Sequence, residues 1–156
     1  MEGSKEYLTQ EKFDEFVKEL EHLKHVRRKE VAEDLEYAKS LGDLSENAEY
    51  HEARDAQANI EDRIVRIESI LKETVIVPSS HDTTSVTVGS IVTVEKKGDG
   101  TRKTYTTVGS EEADMDAGKI SIKSPLGFAL MGKKKKEEFT FKTPAGPVTY
   151  LVVDIK

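Results

Sequence analysis

An α+β architecture is predicted for this 156-residue chain: an N-terminal antiparallel α-helical coiled-coil hairpin, then a small C-terminal antiparallel β domain. Three observations carry that expectation. No proline occurs between Thr9 and Thr74, and Gly42 is the one glycine in that stretch. Apolar residues there recur every three or four positions, the period of one helix face. Beyond Pro78 the period drops to two and β-branched residues dominate, as in half-buried strands.

The first helix is read from Phe13, Phe16, Leu20, Leu23, Arg27, Val31, Leu35 and Ala38, and the second from Ala53, Ala56, Ile60, Ile64, Ile67 and Leu71. Both stripes are narrow, closer to the a/d seam of a two-stranded coiled coil than to a wide core-facing surface. Thr9 is a good N-cap residue type for the start. Two helices of about 30 residues rise roughly 45 Å at 1.5 Å per residue. The short connection through Gly42 makes them antiparallel neighbours, with a tip near residues 40–46. Separate helices in a globular bundle would need more apolar positions per turn. The hairpin is therefore expected over residues 1–77.

Residues 78–85, from Pro78 through His81 to Ser85, are polar and rich in breakers, and read as a flexible linker. Residues 86–156 then form the β domain. Strands are expected over Ile91–Glu95 and Thr104–Val108, joined at Asp99-Gly100, a hairpin signal. Ile120–Lys123 alternates as a strand, and Pro125–Gly132 has room for a short helix. Phe139–Phe141 and Val148–Ile155 flank Thr143-Pro144-Ala145-Gly146, a second hairpin. The aromatics Tyr105, Phe128, Phe139, Phe141 and Tyr150 are expected in the core.

Composition narrows the function. At 36% hydrophobic and 35% charged, the chain supports modest cores rather than one packed globule. Without cysteine it has no disulfide frame, thiolate metal site or cysteine nucleophile, which suits a reducing compartment. The segment from Met1 to Glu6 lacks the apolar core of a signal peptide, and no stretch approaches a membrane span. A soluble cytoplasmic protein without a membrane partner is expected. Net charge is −6, unevenly spread. Residues 1–78 hold 12 Lys and Arg against 20 Asp and Glu, whereas residues 79–156 hold 12 against 10. An acidic hairpin argues against strong independent binding of duplex DNA, which needs clustered cations.

The segment Gly42-Asp43-Leu44-Ser45-Glu46-Asn47-Ala48-Glu49-Tyr50-His51 concentrates the chemistry. Asp43 and Glu46 stand three residues apart, a spacing that brings side chains together on a helix. One reading is a capping box, with Asp43 on the free N–H groups of the second helix and Glu46 reaching back. The other is metal chemistry: two carboxylates are hard oxygen ligands suited to Mg²⁺, which keeps several waters and needs few protein ligands. With no histidine partner in the loop, such a pair completes a site supplied by another protein. Capping and metal binding do not exclude each other.

That segment, followed by Ala53-Arg54 and Gln57, resembles the tip of the Gre family of bacterial transcript-cleavage factors. The likeness extends to Tyr7-Leu8-Thr9, Val26-Arg27-Arg28, Val108-Gly109, Glu112-Ala113-Asp114, Ile120-Ser121, Ser124-Pro125-Leu126, Leu130-Met131-Gly132-Lys133 and Thr143-Pro144-Ala145-Gly146. The resemblance implies that the hairpin enters the secondary channel of RNA polymerase. There Asp43 and Glu46 would help hold a second, weakly bound Mg²⁺ and position the water that cleaves the 3′ end of backtracked nascent RNA. The polymerase would remain the nuclease. Glu49 receives no catalytic role. The resemblance also makes the C-terminal half an FKBP-like domain that docks on the polymerase, with Asp114, Ser124 and Pro125 at the docking edge. These three equally fit an ordinary strand-to-helix turn. Fold alone does not bring prolyl isomerase activity.

Lys24, Arg27, Arg28 and Lys29, beside His25, correspond to a basic patch that in the family lies near the extruded RNA. Their alternative is a solvated face with helical pairs such as Lys24/Glu21 and Lys29/Glu33. The run Lys133–Lys136 precedes Glu137 and Glu138 and reads as a solvated turn. His22, His25, His51 and His81 lack metal-ligand spacing and are expected at the surface. Two other functions stay open: a secondary-channel regulator that retunes the polymerase without cleavage, and a coiled-coil adaptor with a well-capped tip. A hairpin that pairs with itself is expected to be monomeric.

Overall fold

The computed structural model describes residues 5–43, 45–79 and 82–156; Met1–Ser4, Leu44, Ser80 and His81 lie outside the described residues. The chain forms two compact units, one of residues 11–74 and one of residues 1–10 with 75–156. The α+β class is as expected. The division differs from the expected boundary after residue 77, because the first residues of the chain join the second unit. Strand β1 (Glu6–Leu8) pairs with β2 (Thr74–Ile76) in a two-stranded sheet. Val77 N–H also donates to Leu8 O at 2.8 Å, and Leu8 is fully buried. Three residues are too few to display a strand period in sequence.

The first unit holds α1 (Gln10–His22, beginning one residue outside it), a π-helical turn over Leu23–Arg27, α2 (Arg28–Ser40) and α3 (Ala48–Glu73). The 26 residues of α3 span about 39 Å at 1.5 Å per residue. The two arms run antiparallel: Ala38 is tied to Asn47, Arg28 to Glu61 and Lys24 to Glu68. Val31, Ile60 and Ile64 form the central seam, flanked by Leu20, Leu23, Leu35 and Ala56. Phe16, Ala38, Ala53, Ile67 and Ile70 are also buried. Ile70 thus goes deeper than Leu71, which the sequence pattern had placed on the seam. Arg63 stacks over Phe16 and forks onto Glu19 at 2.6 and 2.9 Å.

The second unit is built on a sheet ordered β5-β4-β3-β7-β6, with β3 Ile91–Lys96, β4 Arg102–Val108, β5 Lys119–Ser121, β6 Glu138–Thr143 and β7 Gly146–Ile155. Both expected hairpins form: β3–β4 around Asp99-Gly100, and β6–β7 around Pro144-Ala145. One pair departs from the antiparallel expectation. Strand β5 runs parallel to β4, with Thr107 opposite Ile120, because residues 109–118 first carry the chain back alongside β4. Helix α4 (Pro125–Leu130) covers a core of Val86, Val92, Val94, Tyr105, Ile120, Leu130, Phe139, Val152 and Ile155. Phe139, Phe141 and Tyr150 stack with centroids 5.7–6.3 Å apart. Phe128 corrects the core expectation: it is 77% exposed, on the outer face of a helix whose Leu126, Ala129 and Leu130 face the sheet.

Candidate functional site

The turn between α2 and α3 is built by a short sequence of local devices. At the end of α2, Leu41 N–H folds back to Ala38 O at 3.2 Å, and Gly42 N–H reaches Lys39 O at 3.4 Å. Gly42 then takes φ +122°, a conformation glycine enters without a Cβ penalty. Asp43 follows, and its Oδ1 accepts from Ser45 N–H at 3.0 Å and from Ser45 Oγ at 2.9 Å. This is an Asx turn, in which the side chain closes what the backbone would otherwise have to close. The backbone N–H of Ser45 first, and its hydroxyl second, hold the Asp43 carboxyl below the usual carboxylate range.

Asp43 does not cap α3, and the capping box expected between Asp43 and Glu46 does not form. Asn47 is the cap: it is extended (φ −86°, ψ 95°), and its Oδ1 accepts from Tyr50 N–H at 3.0 Å. Its amide Nδ2 donates to Ala38 O at 2.5 Å. A cap must directly precede the first helical residue, and Asp43 is five residues ahead of Ala48. Asn47 was the residue missed in sequence; Asn immediately before Ala48-Glu49 was the available signal. Freed of any capping duty, Asp43, Glu46 and Glu49 are all exposed. Asp43 Oδ2 and the Glu46 carboxylate make no hydrogen bond or ion pair with described residues, so both present unused lone pairs.

Among the described residues no group of three or more His, Cys, Asp or Glu is arranged to hold a metal ion. The donor set at the turn still fits a share of a hard-cation site. It offers two carboxylates, one of them hydrogen-bonded by Ser45, on a solvent-facing loop.

The basic residues of the first arm lie across the π turn. Three are engaged. Lys24 pairs with Glu68, Arg27 with Glu30, and Arg28 forks onto Glu61 at 2.7 and 2.8 Å. Lys24 therefore reaches across to α3 rather than to Glu21. Lys29 has no ion-pair partner among the described residues.

The remaining candidates separate. Asp114 sits on the turn before β5, where its Oδ1 accepts from Asp116 N–H at 3.1 Å and Ala117 N–H at 3.3 Å. Ser124 and Pro125 follow β5, where Ser124 Oγ caps α4 by accepting from Gly127 N–H at 3.1 Å. Strand β5 lies between them. Met115, next to Asp114 and not singled out in the sequence, and Phe128, on α4 and expected in the core, are large exposed apolar side chains. Lys133–Lys136 occupies the connection from α4 to β6, with Lys135 paired to Asp154 at 3.5 Å. His22, His25 and His51 are exposed. No described helix is long and apolar enough to cross a membrane.

Residues 6–76 match the family model described as "Transcription elongation factor, N-terminal", and residues 81–156 match "Transcription elongation factor, GreA/GreB, C-term". A "Transcription elongation factor GreA" of Clostridioides difficile (strain 630) is 47% identical over 158 residues, covering 100% of this chain and 99% of the relative. The GreA of Macrococcus caseolyticus (strain JCSC5402) is 46% identical over 147 residues, covering 94% and 93%. A solved structure of the transcription factor Gfh1 is 28% identical, covers 98% of each chain and has a TM-score of 0.48.

Proposed function

The chain belongs to the GreA/GreB family of transcription elongation factors, and from that premise we propose that it stimulates cleavage of backtracked RNA by lending its tip carboxylates to RNA polymerase. Factors of this type act on transcription elongation and are not themselves catalysts, so the chemistry belongs to the polymerase. The hairpin enters the polymerase's secondary channel and brings Asp43 and Glu46 to the 3′ end of the nascent transcript. The observation that carries this reading is the state of the tip. Both carboxylates face solvent, uncommitted to capping, and hydrogen bonds from Ser45 hold the Asp43 carboxyl below the usual carboxylate range.

Asp43 and Glu46 are the residues that would hold a share of a weakly bound Mg²⁺. When bound, that ion supplies Lewis acidity toward the attacking water and the leaving oxygen. This chain's contribution is to place two oxygen donors, Asp43 through its free Oδ2, where the polymerase's own ligands leave the shell incomplete. Lys29, with Lys24, Arg27 and Arg28, forms the RNA-facing side. Three of those four cations are already balanced by carboxylates, which makes RNA guidance a minor contribution. Asp114, Ser124 and Pro125 form the docking edge of the second unit. The factor acts as a cytoplasmic monomer.

Halted elongation complexes test the reading, with wild type and Asp43→Asn/Glu46→Gln compared side by side. The double variant should bind polymerase as wild type does, while Mg²⁺-dependent shortening of the RNA falls to the unassisted rate. Undiminished cleavage by the double variant would overturn the proposal. Wild type that binds without stimulating cleavage would instead identify a channel regulator.

A further inference from the structure

Asn47 is the one described residue whose side chain ties the two ends of the tip loop together. Its Oδ1 accepts from Tyr50 N–H in the first turn of α3, and its Nδ2 donates to Ala38 O in the last turn of α2. Only this orientation of the amide satisfies both partners, since a carbonyl must receive N–H and a backbone N–H must meet oxygen. Ala38 is 1% exposed and Asn47 is half-buried, so the bond to Ala38 O is shielded from competing water. Between its anchor points the chain passes through Gly42, Asp43, Ser45 and Glu46. Among the described residues of that loop, the only other side-chain hydrogen bonds are those from Ser45 to Asp43, which are local.

We infer that Asn47 is a positioning residue for Asp43 and Glu46, fixing the span of the loop that carries them. A loop with its ends tied explores fewer conformations than one fixed at its base by helix packing alone. Two carboxylates presented by such a loop reach a partly built metal site with less reordering, which matters most for a weakly held ion. Outer residues that orient metal ligands commonly change affinity or activity by about 10- to 100-fold when removed. The inference rests on the proposed role of Asp43 and Glu46, and deepens it by assigning the device that aims them.

Asn47→Ser separates the two bonds. Serine still caps α3 through its hydroxyl, because it is as good a cap type as asparagine, but it has no amide to reach Ala38 O. In the free protein, amide hydrogen exchange at Ser45 and Glu46 should accelerate while exchange in the middle of α3 stays unchanged. In halted complexes, the Mg²⁺ concentration for half-maximal cleavage should rise about 10-fold, with polymerase affinity preserved. Saturating Mg²⁺ should restore the rate of Asn47→Ser but not that of Asp43→Asn/Glu46→Gln. Asn47→Asp, equal in size and equally good as a cap, serves if the serine variant folds poorly, and its circular dichroism should match wild type.

Unchanged loop exchange would overturn the inference whatever the cleavage result. So would an unchanged Mg²⁺ requirement alongside a double variant that is inactive. Loss of helicity and polymerase affinity in parallel with cleavage would reduce Asn47 to a structural cap and overturn it too. A double variant that still cleaves would refute the proposed function instead, through a different arm of the same experiment.

Discussion

Glu112 holds Thr9 with both carboxylate oxygens: Oε2 accepts from Thr9 N–H at 2.9 Å, and Oε1 accepts from Thr9 Oγ1 at 2.8 Å, across 103 positions of sequence. The contact secures the residue between β1 and α1 to the turn after β4. Nearby, the backbone of Gly109 packs against the carbonyl of Tyr7, leaving no room for a side chain. Together these contacts explain why the first described residues of the chain join the second compact unit.

Replacing Glu112 with Gln tests the grip. The amide oxygen keeps the Thr9 N–H, while the new NH₂ group turns the Thr9 hydroxyl from donor to acceptor, so both contacts persist without charge assistance. Unfolding of the variant should show a loss of about 1–2 kcal/mol. A double-mutant cycle with Thr9→Val should return a coupling energy rather than simple additivity. Additive losses would show that the two residues do not depend on each other.

Gly127→Ala sets helix propensity against space. Alanine in a helix is favoured over glycine by about 1 kcal/mol, yet a Cβ at Gly127 would lie 1.9 Å from Ser121 O and 2.8 Å from its carbonyl carbon. Backbone cannot yield as a flexible side chain can, so sterics win. Gly109→Ala meets the same obstacle at 2.0 Å from Tyr7 O. Each variant should lose about 2 kcal/mol or more in chemical denaturation. A neutral or stabilising result at Gly127 would mean that α4 sits further from β5 than described.

Ser45→Ala bears on the charge of the tip. It removes the hydroxyl donor to Asp43 but keeps the backbone N–H, the larger of the two influences. The Asp43 carboxyl should therefore titrate nearer to an ordinary aspartate while remaining below it, as followed by carboxyl-carbon NMR. The sign for stability follows from the depression. A carboxyl lowered in the folded state stabilises above its unfolded pKa, and that contribution disappears as pH falls through the folded value. In Ser45→Ala the contribution should be smaller, and its loss should be complete at a higher pH than in wild type. At neutral pH Asp43 is ionised in both proteins, so cleavage there should be little affected by titration.

The helical hairpin was legible because its cause is local and repeated. Residues from Phe13 to Ile67 step by three and four, no proline interrupts, and Gly42 stands where the chain must reverse. The strands and both β hairpins were legible for the same reason, since Asp99-Gly100 and Pro144-Ala145-Gly146 are punctuation that acts over a few residues. The acidic tip also stood out, as a cluster of residue types suited to one chemistry.

Only tertiary structure decided which of several eligible residues does each job. Asp43, Ser45 and Asn47 are all good caps by type, and Asn47 takes the position because its amide can also satisfy Ala38 O on the other helix. Strand β1, the parallel course of β5 and the exposure of Phe128 likewise depend on partners distant in sequence. So do the pairings of Arg28 with Glu61 and of Lys24 with Glu68, the latter in place of the helical pair with Glu21. Periodicity reports what a residue needs from its neighbours along the chain; which distant group meets that need is settled when the chain closes on itself.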